Sequence, residues 1–207
     1  MKVRFASIVL LALSLMVAAP AFAATLYSNG PINGTINGFN TCCGLLVTDS
    51  FNISSNSTVT GFDGGFWVWA GLGDLPVQVD WSIGTSAFGN TLGSGTAVLS
   101  NSLFCSGCWF GNFDIYTSTA SGLNVPLLTG TYWLTLQNAI TVNGSDMMWD
   151  ENDGPSMAQQ SSLGPIGSEA FNIYGTTQTT TPEPGTLVMF ASGILGLGGV
   201  LRRKLSL

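Results

Sequence analysis

Apolar and polar residues alternate through most of the chain between residues 24 and 175. The clearest segments are 77–83, 112–117 and 131–137, where nearly every second residue is apolar. A period of two residues is typical of a β-strand with one buried face. Further strand candidates are 45–53, 58–62, 66–70, 95–99, 146–149 and 170–174.

Residues typical of turns separate these candidates. They are Gly64-Gly65, Gly71 to Asp74, Gly89-Asn90, Asn143-Gly144 and Asp153 to Pro155. Short strands about ten residues apart, without a convincing helical period, favour an antiparallel β-sandwich. We therefore predict an all-β domain of jelly-roll type at 24–175, followed by a Thr-rich linker at 176–181.

The first 23 residues have the three parts of a signal peptide. Lys2 and Arg4 precede an apolar stretch at 5–17, and Ala21-Phe22-Ala23 fits a small-x-small cleavage pattern. We expect cleavage there, which would make Ala24 the first mature residue.

Charge is distributed unevenly along the chain. All five basic residues lie in the terminal segments, and ten of the eleven acids lie between residues 24 and 181, for a charge of about −10. A domain without cations cannot neutralise phosphate, so nucleic acid and anionic lipid are excluded as partners. Neutral glycans, cations and other copies of the chain remain open.

The C-terminal segment, 182–207, combines three features. Pro182-Glu183-Pro184 precedes sixteen apolar or small residues at 186–201, and the basic cluster Arg202, Arg203 and Lys204 follows. Sixteen residues form about 24 Å of helix, slightly less than a hydrocarbon core of about 30 Å. We predict one short hydrophobic transmembrane helix, with the basic cluster on the cytoplasmic side.

This three-part order resembles the PEP-CTERM sorting signal. The resemblance covers about 26 residues and implies an exported protein that is held transiently in the inner membrane. It also implies recognition and cleavage by an exosortase near Pro182-Glu183-Pro184, then delivery to the cell surface or an exopolysaccharide matrix. Segments 79–83, 130–134 and 149–152 more loosely resemble β-sandwich domains found upstream of such signals, which supports a fold and no catalytic residue.

Four cysteines, Cys42, Cys43, Cys105 and Cys108, lie in the predicted exported domain. An even number outside the cytoplasm favours disulfides. Vicinal bonding is awkward, so cross-links between the 42/43 pair and the 105/108 pair are attractive. A local Cys105–Cys108 bridge competes, and a four-cysteine zinc site is a third interpretation, disfavoured because adjacent cysteines are poor tetrahedral ligands.

Catalytic motifs are scarce in the sequence. It has no histidine and no basic residue at 24–181, which argues against the common nucleophilic triads and anion-stabilising sites. A glycosidase needs only two acids, and Asp146, Asp150, Glu151 and Asp153 lie within eight residues. The same turn offers Asp150, Asn152 and Asp153 as oxygen ligands for Ca²⁺, against a plain acidic turn.

Aromatic residues give the last candidate site. If Phe66 and Val68 face the core, then Trp67 and Trp69 face outward, and Trp133 leaves the core face of its strand. Exposed tryptophans stack on sugar rings. We predict a non-enzymatic structural or adhesive component of an exopolysaccharide or biofilm matrix, with a carbohydrate-binding module and then a carboxylate glycosidase as alternatives.

Overall fold

The structure is a computed structural model that describes residues 23–178 and the single residue Gly193. Strands make up 67% of these residues. In chain order they are β1 Ala24–Ser28, β2 Gly38–Asn40, β3 Val47–Ile53, β4 Ser57–Trp69, β5 Pro76–Ser86, β6 Gly89–Gly107, β7 Phe113–Leu127, β8 Gly130–Thr141, β9 Met148–Asn152, β10 Ala158–Gln160, β11 Gly164–Ile166, β12 Ser168–Glu169 and β13 Phe171–Thr177. One helical turn, α1 Cys108–Gly111, lies between β6 and β7.

The described strands pair antiparallel in one curled sheet, in the order β1-β13-β4-β7-β6-β5-β8-β3-β10-β11. Strand β9 pairs with the end of β4, and β2 and β12 pair with β9. Strand β6 makes the bend: residues up to Val98 pair with β5, and residues from Leu99 pair with β7. We call β1, β13, β4, β7, β9 and the second half of β6 layer I, and the first half of β6 with β5, β8, β3, β10 and β11 layer II.

The main core contains buried residues from both layers. Phe51 of layer II and Phe171 of layer I meet edge to face, with ring centroids 6.4 Å apart. Leu134 and Leu136 of β8 are fully buried in the same cluster, as predicted from the alternation at 131–137. The predicted all-β antiparallel sandwich is confirmed, and a single sheet that curls on itself forms its two layers.

Gly64-Gly65 is not the turn that the sequence predicts. Both glycines lie inside β4, which joins the two predicted strands 58–62 and 66–70. A Cβ built on Gly65 would lie 2.8 Å from Cβ of Asp150 and 2.8 Å from a side-chain carbon of Ile32. These glycines therefore permit close packing of neighbouring elements rather than a change of chain direction.

Strand β7 shows where alternation alone misleads. Phe113 and Ile115 share a face, as predicted, but they form a small second cluster with Trp67. Tyr116, on the opposite face of the strand from Ile115, packs against the main core. Both faces of this strand are covered at its start, so a period of two does not identify the inner face.

Several predictions fall on residues whose structure is not described. These are the signal peptide up to residue 22 and residues 179–192 and 194–207, which include the sorting residues Pro182, Glu183, Pro184, Arg202, Arg203 and Lys204. Strand β13 continues to Thr177, two residues into the predicted linker. Within the described part of the chain, no helix has the length and apolar character needed to cross a membrane.

Candidate functional site on the outer faces of the sandwich

Trp67 points away from the main core, as the alternation predicts, but it is not exposed. Its side chain is 1% accessible and packs with Phe113 and Ile115, under Ile32 and Met148. The expectation that Trp67 presents an exposed ring is therefore wrong, because the segment before β2 covers this part of layer I. Trp69, two residues further along β4, is 42% exposed.

Turn α1 adds two exposed aromatic residues that the sequence analysis missed. Trp109 and Phe110 have φ values of 47° and 63°, between Gly107 and Gly111, which also have positive φ. This left-handed path turns Phe110 outward, leaving it 92% exposed. Bulky residues rarely adopt this conformation, so both side chains hold it at an energetic cost.

The exposed rings continue the buried cluster. Ring centroids of Trp69 and Phe113 lie 4.6 Å apart, and those of Trp109 and Phe113 lie 5.8 Å apart. Trp109 also contacts Trp67 at 6.0 Å and Phe110 at 5.8 Å. We call Trp69, Trp109 and Phe110 the aromatic surface.

The outer face of layer II carries a polar groove of about 440 Å³. Register places Ser82 of β5 beside Thr135 of β8 on one side and Ser94 of β6 on the other. In the next row, Asp80 of β5 lies beside Gln137 of β8 on one side and Thr96 of β6 on the other. Hydroxyl and amide groups thus line the floor, and Phe88 lies at the rim.

Trp133 belongs to the same outer face. It is half-buried and lies two residues before Thr135 on β8, beside Gly84 of β5. The prediction that Trp133 leaves the core face is consistent with this position. Because Gly84 has no side chain, the position on β5 next to the Trp133 indole carries none.

The acid in the groove is held by local hydrogen bonds. Asp80 accepts a hydrogen bond from the Thr96 hydroxyl at 2.5 Å and another from Asn138 Nδ2 at 2.9 Å. Residues 23–178 contain no lysine, arginine or histidine. The groove therefore offers neutral donors, acceptors and one carboxylate, which matches polyhydroxylated ligands better than anionic ones.

A separate network of polar side chains is buried near β1, β3 and β12. Tyr27 donates to Asn29 Oδ1 at 2.7 Å, and Asn29 Nδ2 donates to Asp49 Oδ2 at 3.1 Å and to the Glu169 carbonyl at 2.6 Å. The backbone N–H of Glu169 also donates to Asp49 Oδ2, at 2.7 Å. Burial raises the pKa of Asp49 to about 6, and its hydrogen bonds only partly oppose that shift.

Glu169 is the least satisfied member of this network. Its side chain is 0% exposed, and neither carboxyl oxygen has a hydrogen-bond partner among the described residues. Burial raises the pKa of Glu169 well above its ordinary value, and the nearby Asp49 raises it further. A carboxyl closed off from solvent in this way is favoured in its neutral, protonated form.

Asp150 is a candidate for both the glycosidase site and the calcium site, but its carboxylate is held by hydrogen bonds inside the domain. It is fully buried and accepts hydrogen bonds from Trp67 Nε1 at 2.6 Å, Asn33 N at 2.9 Å and Gly34 N at 3.0 Å. Burial raises the pKa of Asp150 to about 6, against the lowering effect of these bonds. A carboxylate so enclosed is poorly placed to protonate a glycosidic oxygen.

The three predicted calcium ligands differ in their surroundings. Asn152 donates from Nδ2 to the Asn29 carbonyl at 2.8 Å and accepts the Gly154 N–H at 3.0 Å, whereas Asp153 is exposed. Asp150 lies under the 33–34 backbone. A calcium ion at these residues stays a prediction, and existing hydrogen bonds occupy two of the three side chains.

The cysteines pair locally in the structure, Cys42 with Cys43 and Cys105 with Cys108. The favoured cross-links between the two pairs are therefore not formed. Cys42 and Cys43 instead lie beside Asp146. Among residues 23–178, no group gathers all four cysteines, so the four-cysteine zinc hypothesis finds no support there.

Comparison with known protein families gives one match, at the C-terminus. The PEP-CTERM protein-sorting motif matches residues 180–204, which include Pro182, Glu183 and Pro184 and extend through the basic cluster. This chain carries a PEP-CTERM sorting motif. The motif implies export, transient anchoring in a membrane, recognition by an exosortase and localisation at the cell surface. No curated protein matches the chain.

The match confirms the resemblance drawn from the C-terminal residues alone. The β-domain sites could be predicted less well. Trp69 and Trp133 were found by alternation, but Trp109 and Phe110 lie in a turn where no period applies. The signal for them was present in Cys105-Ser106-Gly107-Cys108, a short cysteine-bounded loop that holds the following aromatic pair close to β7.

Proposed function

We propose that this PEP-CTERM protein is a non-enzymatic structural or adhesive component of an extracellular polysaccharide matrix. The sorting motif at residues 180–204 carries the proposal, because it directs the β-domain to the cell surface. The domain supports a binding or structural role in two ways. Its outer faces present aromatic and hydroxyl-rich surfaces, and its most perturbed acids, Asp49, Asp150 and Glu169, are buried in hydrogen-bonded or enclosed positions.

Sorting is tested by fractionation and intact mass in cells with and without their exosortase. The expected product is extracellular, lacks both terminal segments and is absent without the enzyme. Glu183→Gln should keep the chain in the membrane fraction, while Asp153→Asn, an exposed acid in the β-domain, should be sorted normally. A chain that extends to Leu207 in the inner membrane of both strains would overturn the proposal.

The matrix role needs a separate experiment. Deleting the protein should reduce biofilm or floc formation, and a secreted form should restore it. Normal matrix formation without the protein, in cells where sorting itself is intact, would leave the sorting route standing and remove the matrix role.

Carbohydrate binding is the second candidate function, and the groove on layer II favours it. Asp80, Ser82, Thr96 and Gln137 place hydrogen-bonding groups along the groove on the outer face of layer II, with Trp133 on the same face. Sugars are bound by this combination of polar groups and an aromatic ring. Tryptophan fluorescence should change on titration with purified exopolysaccharide, and Gln137→Ala should weaken binding while Gln159→Ala, on β10, should not.

A further inference from the structure

Cys42, Cys43 and Asp146 form a compact group of potential metal ligands. Their sulfur and carboxylate atoms all lie within 4.8 Å of one another. Asp146 Oδ1 is 3.3 Å from Cys42 Sγ and 3.6 Å from Cys43 Sγ. Across residues 23–178, no other set of three or more cysteine, aspartate or glutamate side chains is gathered so closely.

The backbone explains how two adjacent cysteines reach the same point. In an extended strand, neighbouring side chains point to opposite faces. Here Cys43 has φ of 61° and Gly44 has φ of 84°, and the Leu45 N–H donates to the Cys42 carbonyl at 2.9 Å. This tight left-handed turn, together with the bond between the two sulfur atoms, places both sulfurs on one side of the chain, beside Asp146.

The cysteine turn is anchored to the segment that carries Asp146. Thr41 donates to the Met147 carbonyl from its backbone N–H at 2.9 Å and from its hydroxyl at 3.0 Å. On the other side of Thr41, its carbonyl accepts the Ala139 N–H at 3.1 Å. Residues that flank the cysteines and Asp146 are therefore bonded to each other directly.

The loop before Asp146 is fixed by a buried carboxylate. Asp74 is 1% exposed, accepts the Asn143 N–H at 3.0 Å and also accepts the Ser145 hydroxyl. Thr141 donates to the Ser145 carbonyl at 3.0 Å. Both segments of the site are thus held in place before any ligand binds, which is the arrangement that a metal site requires.

The chemistry of this group suits a reduced state. In the disulfide form the sulfur atoms carry no proton, so the carboxylate oxygen of Asp146 faces two atoms that cannot donate to it. In the dithiol form both sulfurs donate or, after losing their protons, bind a cation together with the carboxylate. Cys43 is exposed and Asp146 half-buried, so a cation has access from solvent.

We propose that the reduced protein binds one thiophilic d¹⁰ cation, such as Zn²⁺ or Cd²⁺, through Cys42 Sγ, Cys43 Sγ and a carboxylate oxygen of Asp146. Two thiolates select a soft or borderline metal over Ca²⁺ or Mg²⁺, and three protein ligands leave one position for water. The bound divalent cation offsets most of the charge of the two thiolates and the carboxylate.

Formation of the site begins with thiol–disulfide exchange. An external dithiol transfers two electrons and two protons to the sulfurs of Cys42 and Cys43 and becomes a disulfide itself. The cation then displaces the two thiol protons, which pass to solvent. Reoxidation reverses the sequence and releases the metal.

The test uses the full chain with Cys105→Ser and Cys108→Ser as the background, so that this second dithiol cannot bind metal. The chain is reduced, freed from reductant without oxygen, and titrated with Cd²⁺ alone. We expect one Cd²⁺ per chain, with an ultraviolet sulfur-to-metal charge-transfer band. Oxidised protein should show neither.

Two variants separate the ligands. Cys43→Ser should abolish the sulfur-to-metal charge-transfer band, because it removes one of the two thiolate ligands. Cys43 is exposed, so the substitution does not alter the buried core. Asp146→Asn should weaken binding by about 10-fold or more, by analogy with the cost of losing metal-site partners, whereas Asp63→Asn, on β4, should leave affinity unchanged. Equal affinity in Asp146→Asn, or no stoichiometric binding in the reduced background, would overturn the proposal.

A second format is available if the serine background does not fold. The reduced natural chain then contains both dithiols and should bind two Cd²⁺ ions, with one ion remaining in Cys43→Ser. An unchanged stoichiometry in Cys43→Ser would show that the metal binds elsewhere, which also overturns the proposal. Circular dichroism of each variant checks the fold.

Discussion

Trp67 donates its indole N–H to Asp150 Oδ1 at 2.6 Å, which links β4 to β9 across 83 residues of sequence. The same carboxylate accepts the backbone N–H groups of Asn33 and Gly34. One buried acid thus joins two strands to the segment that covers the outer face of layer I. This relationship explains why Trp67 is buried beneath that segment.

Replacing Trp67 with Phe should destabilise the domain while retaining most of the packing. The variant removes the N–H donor from a buried carboxylate, and hydrogen bonds to charged groups are worth about 1.5–3 kcal/mol. Chemical denaturation should show a loss of that size in the free energy of unfolding. Trp69→Phe, at a half-exposed position on the same strand, is the matched control and should change it by less than about 0.5 kcal/mol.

Hydrogen exchange provides a second measurement on the same variant. The amides of Asn33 and Gly34 should exchange faster in Trp67→Phe, because Asp150 is less well oriented to accept from them. Unchanged exchange at both amides, together with unchanged stability, would show that Asp150 does not hold the covering segment in place.

The alternation of apolar residues predicted β5 and β8 well, because each has one face on the main core. It could not predict which face of β7 is the inner one. Phe113 and Ile115 face a second cluster whose cover comes from residues near Ile32, about 80 residues away. The aromatic surface was missed for a related reason, since Trp109 and Phe110 lie in a left-handed turn to which neither a helical nor a strand period applies.

The position of Gly65 inside β4 leads to a second prediction. Gly65→Ala would place a methyl group 2.8 Å from Asp150 Cβ and from Ile32, so one of these elements must move. Overpacking of this kind costs about 1–3 kcal/mol. Gly130→Ala is the control, since its nearest neighbour would be 3.6 Å away and its φ is not positive. Equal effects of the two substitutions on unfolding would contradict a specific close-packing role for Gly65.

Local cysteine pairing can be distinguished from cross-linking by mass mapping. Residues 23–178 have no lysine or arginine, so digestion should be carried out at acidic residues, and several acids separate Cys43 from Cys105. If Cys42–Cys43 and Cys105–Cys108 are the bonds formed, the two cysteine peptides stay separate without reductant. A single joined peptide that separates only after reduction would establish the cross-linked alternative.

Domain stability should fall as pH rises from about 4 to 6. Asp49 and Asp150 have pKa values raised from 3.8 to about 6 by burial, and burial also raises the pKa of Glu169 well above its ordinary value. In this range the folded chain binds more protons than the unfolded chain, so unfolding becomes easier as protons are lost. Each group contributes at most about 1.4 kcal/mol per pH unit, and denaturation midpoints measured at several pH values give the slope.

Glu169→Gln isolates the contribution of Glu169 to that slope. The amide cannot ionise, so the variant should lose less stability than the natural chain as the pH rises above the ordinary pKa of a glutamate, by up to about 1.4 kcal/mol per pH unit. Asp153→Asn, at an exposed acid, should leave the slope unchanged. A slope in Glu169→Gln that equals the natural one would assign the pH dependence to the other buried acids.

A substitution at Phe110 can show whether its ring stabilises the turn or is exposed for contact with the matrix. Its φ of 63° disfavours any side chain, by about 1–2 kcal/mol, and a ring that is 92% exposed gains little from burial. Phe110→Gly should therefore keep or raise the free energy of unfolding. The same substitution at Leu128, which is exposed with ordinary φ, should lower it by about 0.5–1 kcal/mol.

If Phe110→Gly is as stable as the natural chain but adheres less well to the matrix, the ring is presented for contact. If it is clearly destabilised, the ring instead holds the turn together, and the aromatic surface loses its support as a binding face.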